Sequence, residues 1–168
     1  MPTRLIPREP LTAEAYAPFG SVLAAGGLAP RLANQGRAKV WDHLAKLVNL
    51  RDDARANLSV FRCAPEALRP VPLRAFERHP FSTQLFVPMS TGRYLVVVAP
   101  GLDAPEFDRA RAFEVTGSQA IAYHPGTWHH PMIALDADAD FVCLVYENHS
   151  KGDCELVPID RATAVDLW

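Results

Sequence analysis

The chain has 168 residues, 49% of them hydrophobic and 21% charged, the profile of an ordinary globular protein rather than a disordered one. A formal net charge of -2, with no cluster of Lys or Arg, offers nucleic acid no electrostatic footprint. The longest apolar runs, Tyr94–Ala99 and Phe141–Tyr146, are strand-sized and too short to cross a bilayer, so the expectation is a single cytoplasmic domain over residues 1–168 that acts on a small molecule or another protein.

The first ten residues carry Arg4, Arg8 and Glu9 among scattered apolar positions and show no signal-peptide core. A short helix is predicted over Ala13–Ala17 after a Thr12 cap, and Asn34-Gln35-Gly36-Arg37 reads as a turn. Extended segments are predicted at Asn57–Cys63, Leu73–His79, Gln84–Val87, Arg93–Ala99, Arg111–Val115, Gln119–Tyr123, Thr127–Leu135 and Phe141–Glu147, with short helices at Pro65–Leu68 and from Pro105 to Arg109. Proline is abundant, at 15 residues against 9 glycines, and leaves little room for long helices. Many short strands between turn signals describe an all-β, antiparallel sandwich or barrel with a few short peripheral helices. The stretch after Glu147 and the C-terminal tail carry weaker signals.

Cysteine usage fits a reducing compartment: Cys63, Cys143 and Cys154 make an odd number with no C-x-x-C pair. Cys63 and Cys143 sit in apolar strand-like segments and read as small core residues. No neighbour in sequence lowers the pKa of any of these thiols, so none is a candidate nucleophile.

Four of the six histidines fall in two short stretches. In Glu77-Arg78-His79-Pro80, the alternation of a strand puts Glu77 and His79 on one face and Arg78 on the other. In Tyr123-His124-Pro125-Gly126-Thr127-Trp128-His129-His130-Pro131, Pro125-Gly126 makes a turn before a strand in which His129 and His130 face opposite ways. Only one of that pair faces the side of Glu77 and His79. A Glu-x-His pair on one strand face can converge on one ion or on one polar ligand, and His43 and His149 have no partner in sequence.

The same residues resemble the cupin pattern, in which a His-x-His, Glu, Gly motif is followed by Pro-x-Gly-x-x-His. Here the first motif becomes Glu77-x-His79, Gln84, Gly92 and the second Gly126-x-x-His129. That likeness implies a double-stranded β-helix that aims these side chains into a barrel, with His129 rather than His130 facing the site. Glu77, His79 and His129, with Gln84 lining the same pocket, are then the candidate centre, either as metal ligands or as an acid–base set, and Trp128 and His130 are directed towards core or a dimer contact. Nitrogen and oxygen donors of this mix suit a divalent ion such as zinc, nickel, iron or manganese, held weakly because a neutral Gln84 is a poor ligand. Within this group the chain is similar to the ureidoglycolate lyases of allantoin and purine catabolism. The likeness is carried by Glu77-Arg78-His79-Pro80, Thr83 to Met89, Tyr94 to Ala99, Arg111-Ala112-Phe113, Tyr123-His124, Trp128-His129-His130-Pro131 and Asp140-Phe141. It implies a homodimeric cytoplasmic enzyme that splits ureidoglycolate into glyoxylate and urea.

Ureidoglycolate is a hemiaminal whose cleavage needs a base for the hydroxyl proton and an acid for the departing nitrogen. Histidines and a glutamate supply both near neutral pH, and a divalent ion (nickel, manganese or zinc), where one is held, acidifies the hydroxyl. His124, at the turn, is a candidate proton shuttle. Tyr123 is a candidate donor to substrate, and Arg62 and Lys39 are candidate partners for its carboxylate. Two other readings stay open: a ureidoglycolate hydrolase releasing ammonia, and a non-catalytic module that binds a small carboxylate. A metal-dependent oxygenase or isomerase is disfavoured by the missing second histidine and by Gln84.

Overall fold

The computed structural model describes residues 3–90, 92–117 and 119–167. In chain order these form β1 (Arg4–Pro10), helix α1 (Ala13–Tyr16), β2 (Gly20–Leu23), β3 (Arg31–Ala33), β4 (Ala38–Val40), β5 (Arg55–Cys63), β6 (Val71–Arg78), β7 (Gln84–Pro88), β8 (Tyr94–Ala99), β9 (Arg111–Val115), β10 (Ala120–Tyr123), β11 (Trp128–His129), β12 (Ile133–Ala134), β13 (Ala139–Glu147) and β14 (Glu155–Asp166). The expected all-β class is what forms. α1 is capped as predicted, the Ala15 N–H donating to Thr12 Oγ1 at 3.1 Å.

Two sheets carry the architecture. The larger runs β11-β6-β14-β1-β9-β8-β12, and β11 also bonds β8, which closes it into a barrel; the smaller runs β2-β10-β7-β13-β5. β8 is the shared wall, and all six of its residues are buried. Tyr94, Val96 and Val98 point into the core between the sheets, with Tyr123, Phe86 and Phe141. Leu95, Val97 and Ala99 point the other way, into the barrel core with Phe76, Trp128 and Val165. An uninterrupted apolar run is what a strand covered on both faces requires, because neither side meets water. At the rim of the inter-sheet core Gly20 lies opposite Tyr123, where a Cβ would come within 1.9 Å of the Ala122 carbonyl oxygen.

The structure departs from the sequence reading in several places. Pro65–Leu68 is not helical: Pro65 bridges Ala134, and the Glu66 N–H donates to the Ala134 carbonyl at 3.0 Å, so the sheet takes up a group that a helix would use. Thr127–Leu135 is two short strands separated by residues 130–132, where Pro131 cannot donate to a ladder. From Pro105 to Arg109 only Phe107–Arg109 forms a helical turn, and that turn is 3-10. The pairing is not wholly antiparallel, since β1 runs parallel to both β14 and β9. β14, twelve residues long, is the largest element the sequence did not announce.

Candidate active site and metal centre

β6 and β11 lie side by side with Glu77 directly opposite His129. His79 comes directly after the last residue of β6, and its ring lies on the same side as Glu77 and His129. Arg78, on the other face, lies over the Trp128 ring with its guanidinium carbon 4.4 Å from the ring centroid. The expected division of faces is therefore realised on both strands. The turn before β11 is made by Pro125-Gly126: the Thr127 N–H donates to the His124 carbonyl at 3.1 Å, and Gly126 has φ +79°. Pro then Gly at the centre of such a turn supplies one fixed negative φ and one positive φ. The Gly126 N–H donates to the His79 carbonyl at 2.9 Å, tying the two site segments together.

One ligand atom from each of Glu77, His79 and His129 lies within 4.8 Å of the others. The two imidazoles are stacked, with centroids 5.9 Å apart and planes 19° from parallel. Each is oriented from behind by a backbone carbonyl, His79 Nδ1 to Asp153 O at 2.8 Å and His129 Nδ1 to Thr127 O at 2.9 Å. A carbonyl only accepts, so each ring carries a proton on Nδ1 and, as a neutral ring, turns an Nε2 lone pair inward. Both Nε2 atoms are buried with no hydrogen-bond partner among the described residues. His129 Nε2 does come within 3.4 Å of Glu77 Oε1, an ion-pair distance without hydrogen-bond geometry.

Buried lone pairs without partners are costly and call for an explanation. Two of them converging on a carboxylate, each ring held by a carbonyl on its far nitrogen, is the arrangement that metal-ligating histidines adopt. The donor set fits a divalent ion. Protonation agrees with this: burial, reinforced by His129, pulls His79 below its ordinary value and favours the neutral ring. Burial works to raise the Glu77 carboxyl, but the neighbouring rings in their protonated form, His129 first and then His79 and His130, outweigh it and hold the group below the usual carboxylate range. Glu77 keeps 21% of its side chain exposed and Cys154 is exposed, so the triad opens to solvent on their side.

Among the other candidate residues, Tyr123 lies against the triad, its ring stacked on His129. Gln84 is the register partner of Tyr123 and is buried, its Oε1 unpartnered. The remaining three are not brought to the triad. His124 is exposed, in a cleft with Arg78, Arg111, Leu102 and Trp128. Arg62 makes a two-pronged pair with Asp140, both bonds 2.8 Å, on the exposed side of edge strand β5. Asp140 lies about 13 Å along β13 from Leu144, the partner of Leu85, at about 3.3 Å per residue. Lys39 is exposed on β4, which among the described residues pairs only with β3. Trp128 enters the barrel core, and His130 is buried with its Nε2 accepting the Arg74 N–H at 3.1 Å.

Several groups at the site had no signal in sequence. The carbonyls of Thr127 and Asp153 are anonymous there, as every residue has one. Cys154 comes from the weakly patterned tail, yet its Sγ lies 4.0 Å from Glu77 Oε2. Burial and the nearby carboxylates push that thiol up to about 11, which agrees with the absence of a cysteine nucleophile.

The chain is 40% identical to a ureidoglycolate lyase of Burkholderia cepacia over 168 residues, covering 98% of this chain and 92% of that protein. It is 40% identical to one from Pseudomonas savastanoi pv. phaseolicola over 146 residues, covering 86% and 84%. Among solved structures it aligns with a dTDP sugar isomerase from Desulfovibrio desulfuricans G20 at 18% identity and TM-score 0.44, covering 84% of this chain and 82% of that one. It also aligns with NovW, a 4-keto-6-deoxy sugar epimerase of Streptomyces spheroides, at 18% identity and TM-score 0.45, covering 83% and 75%. The family model described as ureidoglycolate lyase matches residues 3–166, both histidine stretches included, and the chain belongs to that family.

Proposed function

We propose that the protein is a carbon–nitrogen lyase that cleaves ureidoglycolate to glyoxylate and urea, in the cytoplasmic breakdown of allantoin and purines, with residues 1–168 acting as one domain. The observation that carries this reading is the pair of buried, unpartnered Nε2 atoms of His79 and His129 facing the Glu77 carboxylate in a chain of this family.

The reaction needs one proton moved and one bond broken. Glu77 is ionised, and its Oε1 faces His129 while Oε2 lies on the side of Cys154. Oε2 is the atom placed to take the hydroxyl proton. As that proton leaves, the carbon–oxygen bond becomes a carbonyl and the carbon–nitrogen bond breaks, its electron pair staying on the urea nitrogen. The proton held by Glu77 then passes to that nitrogen, so glyoxylate and neutral urea depart and the carboxylate is restored. His79 and His129, fixed through Nδ1, hold the partner groups through Nε2. Those two atoms and the Glu77 carboxylate, with Gln84 as a further oxygen donor, are the ligands offered to a divalent ion: nickel, manganese or zinc. When bound there, such an ion supplies Lewis acidity and a counter-charge for the substrate's hydroxyl and carboxylate. A counter-charge of this kind is needed because Arg62 is paired with Asp140 and Lys39 is exposed on β4.

A homodimer belongs to the same reading. β5 is an edge strand whose outward Leu58 and Val60 are 69% and 62% exposed, and the adjoining Arg62–Asp140 pair is neutral overall, so an identical copy meets no repulsion there. Sedimentation of the native protein checks it, a dimer being expected and Val60→Arg being expected to shift it to monomer.

The activity test is a product assay on metal-stripped protein and on protein supplied with nickel, manganese or zinc. Glyoxylate with equimolar urea, formed faster than the spontaneous reaction, is the expected result. Ammonia in place of urea would make the protein a hydrolase, and binding without turnover would make it a small-carboxylate-binding module. Either outcome overturns the lyase reading.

A further inference from the structure

Behind His79, on its Nδ1 side, three chain segments lock together, and one arginine sits at their junction. The Asp153 carbonyl that holds His79 Nδ1 and the Cys154 thiol beside Glu77 belong to the same short connection, residues 148–154, between β13 and β14. A connection of this kind has no ladder of its own to fix it. Here Arg51 does the fixing. Its guanidinium donates to Asn148 Oδ1 at 3.0 Å and Ser150 Oγ at 3.3 Å, and pairs with the Asp153 carboxylate. The Asn148 N–H also donates to Asp153 Oδ1, at 3.1 Å. The pair is secluded, with the side chains of Arg51 and Asp153 only 15% and 11% exposed. The guanidinium carbon lies 5.0 Å from the centroid of the Phe81 ring, two residues beyond His79.

Arg51 is itself anchored to the segment that carries His79. The Leu50 N–H donates to the Phe81 carbonyl at 2.8 Å, the Thr83 N–H to the Val48 carbonyl at 2.9 Å, and the Val48 N–H to Thr83 Oγ1 at 3.0 Å. One side chain thus bridges the strand that bears the ligand and the loop that orients it.

We propose that Arg51, through its pairing with Asp153, is a positioning residue that sets the ring plane and tautomer of His79 and the rotamer of Glu77. It touches neither substrate nor ion. It acts through the Asp153 carbonyl and the placement of Cys154, the role that groups behind a ligand shell play when their loss costs about 10–100-fold in affinity or activity. The proposal rests on the lyase reading for its consequence in turnover, but not for its geometry.

The test uses the full chain carrying Arg51→Lys or Asp153→Asn, the second nearly isosteric and available if the first does not fold. Arg31→Ala, which breaks an exposed arginine–carboxylate pair remote from the site, serves as control. Long-range proton–nitrogen NMR of the imidazoles, assigned by the loss of signals in His79→Gln, reads the tautomer directly. The native protein and Arg31→Ala are expected to show His79 protonated at Nδ1 with slow exchange of that proton; the clamp variants are expected to show averaged nitrogens and fast exchange. Calorimetric titration with Ni2+ alone should give about 10–100-fold weaker binding in the clamp variants, and kcat should fall by a similar factor with KM nearly unchanged. Folded clamp variants that keep a slowly exchanging Nδ1 proton on His79 would overturn the proposal. A native protein that shows no turnover would overturn the lyase reading alone, because the imidazole signals still report on the clamp.

Discussion

The ring of Tyr123 lies flat on that of His129, centroids 3.9 Å apart and planes 11° from parallel. This contact uses the π face of the tyrosine and leaves its hydroxyl pointing elsewhere, 3.9 Å from the Met132 sulfur. Burial, with Tyr94 adding to it, pushes the phenol well above its ordinary value, so it stays protonated throughout the working range. Tyr123→Phe keeps the stacked face and is expected to hold kcat and KM within about twofold. Tyr123→Ala removes the support under His129 and is expected to cost about 3–5 kcal/mol of stability through the cavity it leaves. Steady-state kinetics and thermal melts of the two variants check both statements. A large KM increase in Tyr123→Phe would instead make the hydroxyl a substrate contact.

The roles of the three central residues separate by what each loss removes. His79→Gln and His129→Gln delete an oriented Nε2 each and are expected to weaken Ni2+ binding and to lower kcat together. Glu77→Gln keeps an oxygen near the same place but cannot carry a proton. It is expected to lower kcat by about 10²–10⁴-fold while weakening Ni2+ binding less than either histidine variant does. Parallel calorimetry and product assays give the two columns to compare. Equal loss of binding and turnover in all three variants would assign Glu77 to ligation alone.

Arg62 provides a contrasting expectation. It is spoken for by Asp140 on the solvent side of β5, and Asp140 in turn is held below the usual carboxylate range chiefly by that guanidinium. Exposed pairs of this kind contribute little and are screened by salt. Arg62→Ala is expected to leave KM for ureidoglycolate unchanged, measured at low and at physiological ionic strength. A severalfold rise in KM that fades with added salt would return Arg62 to substrate capture.

These expectations also mark where sequence reasoning stopped. Glu77 and His79 were legible because strand alternation fixes which side chains share a face, and Pro125-Gly126 announces a turn; alternation left His129 and His130 as alternatives, and the cupin resemblance singled out His129. The two-sided burial of β8 was legible in its unbroken apolar run. Arg62 and Lys39 were chosen for charge type, and charge type carries no information about which carboxylate lies across the sheet. β14 was hidden because Pro158, Asp160 and Arg161 sit inside it, at a place where its pairing with β6 shifts register between Pro158 and Thr163. With it were hidden Asp153 and Cys154, whose connection to the site depends on where that strand begins. The Arg51 clamp joins residues 102 positions apart, a contact that no local pattern encodes.

The buried histidines make stability depend on pH with a definite sign. His130 accepts the Arg74 N–H at Nε2 and donates from Nδ1 to the Pro131 carbonyl at 2.7 Å, a pair of bonds that only the neutral ring makes. Burial, the dominant cause, pulls both His130 and His79 below their ordinary value. In the unfolded chain each titrates near about 6.5, so below that pH the unfolded state binds more protons than the folded one. Stability is therefore complete above about pH 6.5 and falls as the pH drops below it, by at most about 1.4 kcal/mol per pH unit for each histidine. Glu77, held below its ordinary value, adds a further loss only as the pH falls below about 4.5. Thermal melts of metal-free protein between pH 8 and pH 5 are expected to show a level Tm giving way to a decline. His130→Gln, whose amide oxygen accepts from Arg74 without titrating, is expected to flatten that decline. A Tm that rises towards pH 5 would mean that the rings gain more from Glu77 as cations than they lose by burial.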